Sequence, residues 1–334
     1  MALIRIDKQN LLHNLDILIK KSGSKDKIAA VIKDNAYGHG IEIISKIVSE
    51  YGVKEAVVIN LEEALKIKSY FKNTLILNDT PIANSSLSFA VGDIKKLLQI
   101  TNQDVKIELK IDSGMHRNGI DIKELPLALD IIRKKRLRLF GVFTHFKGAD
   151  ELDTTFAWQK SRFEEVKKIV INKGFSPRFH SYNSAALLRS KSFSEDIART
   201  GIALYGYSEL PSIFGDFNLK PVLSLMANRV STRVLKKGQK VGYGGEFKAP
   251  KDMVVSTYDI GYGDGLFRGD AKNPLIIEEK LPILGRVSMD FITLESQKEE
   301  VCIFKDAKKV AAHFNTISYE ILTSLKPTIK RVII

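Results

Sequence analysis

AAVIKDNAYGHG, residues 29–40, runs four apolar residues into Lys33 and then into Asn35, Tyr37, Gly38, His39 and Gly40. The apolar run is too short for a helix and ends in turn formers, so IAAVIK (28–33) reads as a buried strand. Before it, DKQNLLHNLDILIKK places Leu11, Leu12, Leu15, Leu18 and Ile19 at helical spacing. The alternation then continues along the chain. Further strands are expected in EAVVIN (55–60), TLILN (74–78), FAVG (89–92), VKIELKID (105–112), LFGVFTHF (139–146), FHSYNSA (179–185) and IARTGIALYG (197–206). Helices are expected at 41–51, in LEEALKIKSY, around 124–136, and in TTFAWQKSRFEEVKKIVINKG, where Gly174 is a C-cap signal. Eight strands, most of them separated by helices, give the order of a (β/α)8 barrel. A doubly wound sheet would need a phosphate loop after an early strand, and no GxGxxG stands there.

The pattern changes after about residue 218. VLSLMANRVSTRVL, MVVSTYDIGYG and LPILGRVSMDFITL are apolar runs divided by Gly-rich turns, with one short helix near AAHFNTISYEILTSL. We read residues 1–218 as the barrel and 219–334 as a second, mostly β domain, the boundary falling within 215–222.

Composition narrows the class. The 334 residues are 44% apolar, enough for a sizeable core. The 52 Lys and Arg against 39 Asp and Glu give +13, but acids are interspersed among the lysines. That describes a basic solvated surface favouring anionic small molecules rather than nucleic acid. Cys302 is the one cysteine, so no intrachain disulfide forms and a reducing compartment is expected. MALIRIDKQNLLHNL turns charged too early for a signal peptide, and no run of about 18 apolar residues occurs. The expectation is a cytoplasmic protein with no membrane and no nucleic-acid partner.

In such a barrel the C-terminal strand ends form the active face. Lys33, Tyr37, Lys110, Arg117, His145, Asn183, Ser184 and Arg199 all fall there. A lysine amine attacks a carbonyl only when neutral, and its ordinary pKa is about 10.4. In a closed pocket Lys33 would form a Schiff base with an aldehyde cofactor such as pyridoxal phosphate; at an open edge it would merely reach solvent. Tyr37 and the glycines after it, Ser184 at a helix start, and Gly201 with Ile202 offer hydroxyl and N–H groups to a phosphate. Gly and Ser are also ordinary turn formers. Arg199, in an apolar segment, needs a partner: a pyridine nitrogen, which it would leave neutral because arginine keeps its proton, or an acid such as Asp196.

The motifs together resemble the alanine racemase family. AVIKDNAYGHG is similar to its cofactor-lysine motif, and IDSGMHRNG, GVFTHFKGAD, HSYNSAA, ARTGIALYG, VGYGGEF, DIGYGDG and GRVSMD follow in family order. The resemblance runs from Ile6 to the last few residues. It implies a pyridoxal 5′-phosphate enzyme, a homodimer with active sites shared across the interface, that makes D-alanine for peptidoglycan. It implies Lys33 as cofactor lysine and first base, and Tyr243 of the partner subunit as second base, bonded to His145. Arg199 would face the ring nitrogen; Tyr37, Asn183, Ser184, Gly201 and Ile202 would surround the cofactor and its phosphate. Arg117 would meet the substrate carboxylate, and Lys110 beside it would be a carbamylation candidate. Met289, Asp290 and Tyr262 would line substrate entry. No metal is expected.

Two positions depart from the pattern. Ser288 stands where the family often has cysteine. Ile333 follows Arg331 by two residues, where the resemblance implies a tyrosine on the phosphate. That departure motivates the alternative of a broad-specificity racemase taking serine or larger side chains. A non-catalytic cofactor-binding protein would lack the second domain and Tyr243. A decarboxylase on the same fold, and a metal hydrolase using His145, His180 and Asp112, are the remaining alternatives.

Overall fold

The computed structural model describes residues 2–334. By internal contacts the chain forms two units: one of Leu12–Ala36 and Ile41–Lys220, the other of the residues up to Leu11, Tyr37–Gly40 and Pro221–Ile334.

The first unit is a nearly closed parallel barrel. Its strands run in the order Ala198–Thr200, Ile28–Val31, Glu55–Val58, Asn73–Ile76, Leu87–Val91, Lys106–Asp112, Arg138–Phe143 and Arg178–His180. Every neighbouring pair is parallel. The two ends are linked by single backbone bonds, Asp196 N to Phe179 O at 3.2 Å and Arg199 N to Tyr182 O at 2.9 Å. Ile28–Val31 and Asn73–Ile76 are buried along their whole length, as strands covered on both faces must be. Helices fill the crossovers; Ile41–Glu50, for instance, buries Ile41, Ile44, Ile47 and Val48 along one stripe.

All eight expected strands are present, but the last two are short. Arg178–His180 stops because Asn183 caps the helix Ser184–Arg189. Ala198–Thr200 stops at Gly201, after which Ile202–Tyr205 coils into a single 3-10 turn. These stops place Asn183, Ser184, Gly201 and Ile202 on the turns rather than within the strands.

The second unit is built on a sheet ordered Ile292–Leu294, Met253–Tyr258, Leu223–Leu235, Leu3–Ile6 and Lys330–Ile333, with Glu300–Phe304 also on Leu223–Leu235. The 13-residue strand Leu223–Leu235 shifts register between Arg229 and Ser231. Its first half carries Leu3–Ile6 and Glu300–Phe304; its second carries Met253–Tyr258. Leu235, Ala249, Met253, Val255 and Leu284 pack together beside it. Two helices, Ala307–His313 and Ser318–Ser324, stand where one was expected.

Candidate active site

Lys33 follows the strand Ile28–Val31 by two residues, and the backbone beyond it turns the wrong way for L-residues. Asp34, Asn35, Ala36 and Tyr37 all have φ between 51° and 54°. Left-handed residues cost about 1–2 kcal/mol each and normally occur singly. A run of four persists only where its surroundings over-determine it. Here Ile32 N donates to Val57 O and Ala36 N to Ile32 O, each at 2.9 Å. Asn35 N donates to Glu63 Oε1 at 3.0 Å, and Asn35 Oδ1 accepts from Ile41 N at 2.9 Å. The Nζ of Lys33 lies 2.6 Å from Asp34 Oδ2. The turn therefore fixes the backbone that carries the lysine.

Four cations converge on one imidazole. The pKa of His145 is pushed down to about 3, first by burial and then by Arg199, Arg117, Lys110 and Lys33. Lys110 is lowered to about 8 by its burial and by Arg117 and Arg199, against the pull of Asp112. Asp112 supplies a single negative charge there, kept ionised by its Oδ1 accepting from the backbone of Gly114, Met115 and His116 at 2.8–3.1 Å. Those bonds shape the turn that leads to Arg117. So the barrel brings Lys33, Lys110, Arg117, His145 and Arg199 close enough to act on one another, and the cluster carries an excess of positive charge.

Asn183, Ser184, Gly201 and Ile202 also meet. Asn183 Oδ1 accepts from Ala186 N at 2.9 Å. Ser184 Oγ accepts from Gly201 N at 2.9 Å and Ala203 N at 3.3 Å, tying one turn to the other.

The two terminal nitrogens of Arg199 are held by acceptors. Its Nη1 donates to His180 Nδ1 at 2.6 Å and His180 O at 2.8 Å; its Nη2 donates to Thr144 O at 2.6 Å. It does not pair with Asp196, whose Oδ2 accepts from Phe179 N at 2.6 Å. Beneath it lies a buried polar layer of which the sequence pointed only to His180. His180 Nε2 lies 2.6 Å from Glu108 Oε2. Glu108 Oε1 also accepts from Ser88 Oγ at 2.6 Å and Arg178 Nη2 at 2.7 Å, and Arg178 Nη1 reaches Glu55 Oε2 at 2.8 Å. His180 and Asp112, weighed as metal ligands, are thus engaged elsewhere.

In the second unit, Tyr37 is buried against Tyr319, ring centroids 5.8 Å apart. Gly38 has φ 79°, a Cβ there would meet Leu322 O at 2.1 Å, and its carbonyl accepts from Arg331 Nη2 at 2.9 Å. Tyr262 N donates to Ser288 O at 3.0 Å and Gly263 N to Met289 O at 2.7 Å, so Tyr262, Met289 and Asp290 share one loop pair. The Tyr243 loop is tied to the same region by the Arg286–Glu246 ion pair. Tyr243 is 69% exposed, Met289 55% and Tyr262 42%.

The family model for the alanine racemase N-terminal domain matches residues 6–209, and that for the C-terminal domain matches residues 222–333. This chain belongs to the alanine racemase family. It is 49% identical over 336 residues to the alanine racemase of a Nitratiruptor species, covering 99% of each chain. It is 46% identical over 336 residues to that of Campylobacter jejuni (strain 81-176), covering 100% of each. The crystal structure of alanine racemase from Bacillus anthracis with bound L-Ala-P superposes with a TM-score of 0.91 at 30% identity, over 100% of this chain and 95% of that one.

The cofactor of alanine racemases, pyridoxal 5′-phosphate, fits the residues present. A phosphate, a ring oxygen and a substrate carboxylate are the anions that such a cluster of cations would hold. The four hydrogen bonds of Arg199 all leave from Nη1 and Nη2, which leaves Nε–H for a ring nitrogen.

Proposed function

We propose that this enzyme interconverts L- and D-alanine with Lys33 as one base and Tyr243 of the partner subunit as the other. The reaction and its pyridoxal 5′-phosphate cofactor are those of the family; the residue roles are our assignment. When bound, the cofactor supplies an electron-withdrawing ring that acidifies the substrate Cα–H.

Lys33 holds the cofactor and moves a proton at its Nζ on one face of Cα. Tyr243 moves one at its hydroxyl on the other, so neither base has to swing around the carbon. His145, pushed down to about 3, is neutral at working pH and so has a nitrogen free to accept the tyrosine O–H. Arg199 donates to the ring nitrogen and keeps its own proton, which limits how much charge the ring withdraws. Tyr37, Asn183, Ser184, Gly201 and Ile202 surround the phosphate. Arg117 orients the substrate carboxylate. Lys110, lowered to about 8, presents more neutral amine than an ordinary lysine, as addition of carbon dioxide to its nitrogen requires. Met289, Asp290 and Tyr262 border entry from the partner's side.

The convergence of Lys110, Arg117, Arg199 and His145 beside Lys33 carries this reading. The exposed Tyr243, Tyr262 and Met289 support the shared homodimeric site, since an isolated chain would leave these groups in water. We take 1–218 as the cofactor-holding part and 219–334 as the part that completes the partner's site. No helix of the described residues is long and apolar enough to cross a membrane. The single cysteine suits a reducing compartment, and we take the enzyme as cytoplasmic; a role in supplying D-alanine for peptidoglycan follows from the family alone.

The test is an absorbance scan of the purified enzyme paired with D/L analysis after incubation with L-alanine. A cofactor band and D-alanine, both lost in Lys33→Ala, are expected. A band without D-alanine would overturn the racemase assignment, and no band even after added cofactor would overturn Lys33.

A further inference from the structure

The buried layer under Arg199 has a definite proton arrangement. Arginine only donates, so His180 Nδ1, 2.6 Å from Arg199 Nη1, must accept and carry no proton. The proton of the neutral ring then sits on Nε2 and is donated to Glu108 Oε2 at 2.6 Å. Glu108 is entirely buried, and its carboxylate is held ionised by Arg178 and Ser88 as well as by His180. The ring stacks on Phe143, centroids 4.9 Å apart and planes 6° from parallel, so its plane is fixed too. Gly141 makes the space: a Cβ there would lie 2.3 Å from Glu108 Oε2.

We propose that Glu108 is a positioning residue for the reaction: through His180 Nε2–H it selects the tautomer whose bare Nδ1 receives Arg199, and so aims the guanidinium. This rests on the reading of Arg199 as the group that meets the cofactor ring. Without the carboxylate, a ring protonated on Nδ1 would set an N–H against the Arg199 N–H, and the guanidinium would have to turn away. Burial supports the neutral ring, because the pKa of His180 is pushed down to about 3 by desolvation despite the carboxylate beside it.

The experiment uses holoenzyme labelled with 15N in the histidine rings. The His180 resonances are assigned by their loss in His180→Asn. In the native enzyme His180 should be neutral and protonated on Nε2. In Glu108→Gln that signature should be lost or split between tautomers. kcat should fall about tenfold or more, with KM for alanine nearly unchanged. Glu108→Asp, which restores the charge, should recover the tautomer and part of kcat. A purely structural role would lower the melting temperature of Glu108→Gln and leave kcat per folded enzyme intact; that result overturns the proposal. So does a native His180 that is doubly protonated or protonated on Nδ1. The ring signature needs no turnover, so a failure of the racemase assignment itself would show separately, as native tautomer chemistry without D-alanine.

Discussion

His145 lies half-buried among Lys33, Lys110, Arg117 and Arg199, whereas Tyr243, Tyr262 and Met289 of the second unit are exposed. The first group is held by a braced left-handed turn and by a buried hydrogen-bonded layer. The second sits on glycine-rich loops, with Gly242 and Gly244 at φ 70° and 75° around Tyr243. One region gathers positive charge around a single imidazole; the other presents two tyrosines and a methionine on its surface. On the proposed reading that difference suits a site assembled from two chains, and it can be broken by separating the two contributions.

The largest expected effect comes from doing so. Lys33→Ala and Tyr243→Phe should each lower racemisation about a thousandfold, the range expected for loss of a positioned base. Dissociating the two variants, mixing them equally and allowing reassociation should restore about a quarter of native activity, because half the dimers then contain one intact site. No recovery, with mixed dimers demonstrated, would place both residues in the same chain's site and end the comparison.

A smaller effect concerns stability and belongs to the barrel alone. His145 and His180 are both lowered to about 3 in the fold, against about 6.5 unfolded. The native state therefore refuses protons that the unfolded chain accepts. The contribution is fully present above pH 6.5 and is lost as pH falls toward 3. Between pH 7 and pH 5 it amounts to about 2 kcal/mol for each ring, read as a falling urea midpoint. His145→Gln should flatten that slope by about half. An unchanged slope would mean that His145 is not held neutral by its cations.

Next in size is Lys110. Carbon dioxide adds to its neutral amine to give a carbamate and a proton, turning a cation beside Arg117 into an anion. Purification in carbon-dioxide-free buffer should raise KM for alanine several-fold, and added bicarbonate should reverse the change. Insensitivity to bicarbonate would leave Lys110 acting as a cation.

The barrel was legible because its strands are short Val- and Ile-rich runs between helical periods. The strand-end cluster was legible because topology gathers such ends whatever their spacing in sequence. Leu3–Ile6 was not: four residues with Arg5 among them look like a leader to the first helix, yet they pair with Leu223–Leu235. The left-handed turn was hidden too, since no glycine appears until Gly38. Nothing in VKIELKID marks Glu108 as buried. Only the register, which sets Glu108 beside Gly141 and Gly141 beside Arg178, reveals the buried layer. Gly141 inside LFGVF was the available signal, because a glycine within a strand often marks close approach of another group.

The smallest expected effect sharpens the boundary of the second region. Ile333 stands where the resemblance implies a tyrosine, and a relaxed substrate range was one consequence considered. In the fold Ile333 pairs with Ile6 at the end of the strand Lys330–Ile333 and is 49% exposed. The ring against Tyr37 is that of Tyr319, and Arg331 clamps Gly38 O. Tyr37 and Gly38 are therefore anchored by Tyr319 and Arg331, and a larger ring at 333 adds nothing to that anchor. Ile333→Tyr should leave cofactor affinity and the ratio of kcat/KM for alanine over serine within about twofold of native, as for a surface substitution. Tyr319→Leu should weaken cofactor binding measurably more. If Ile333→Tyr instead tightened the cofactor and excluded serine, residue 333 would belong to the site, and the missing tyrosine would be the determinant of a broader specificity.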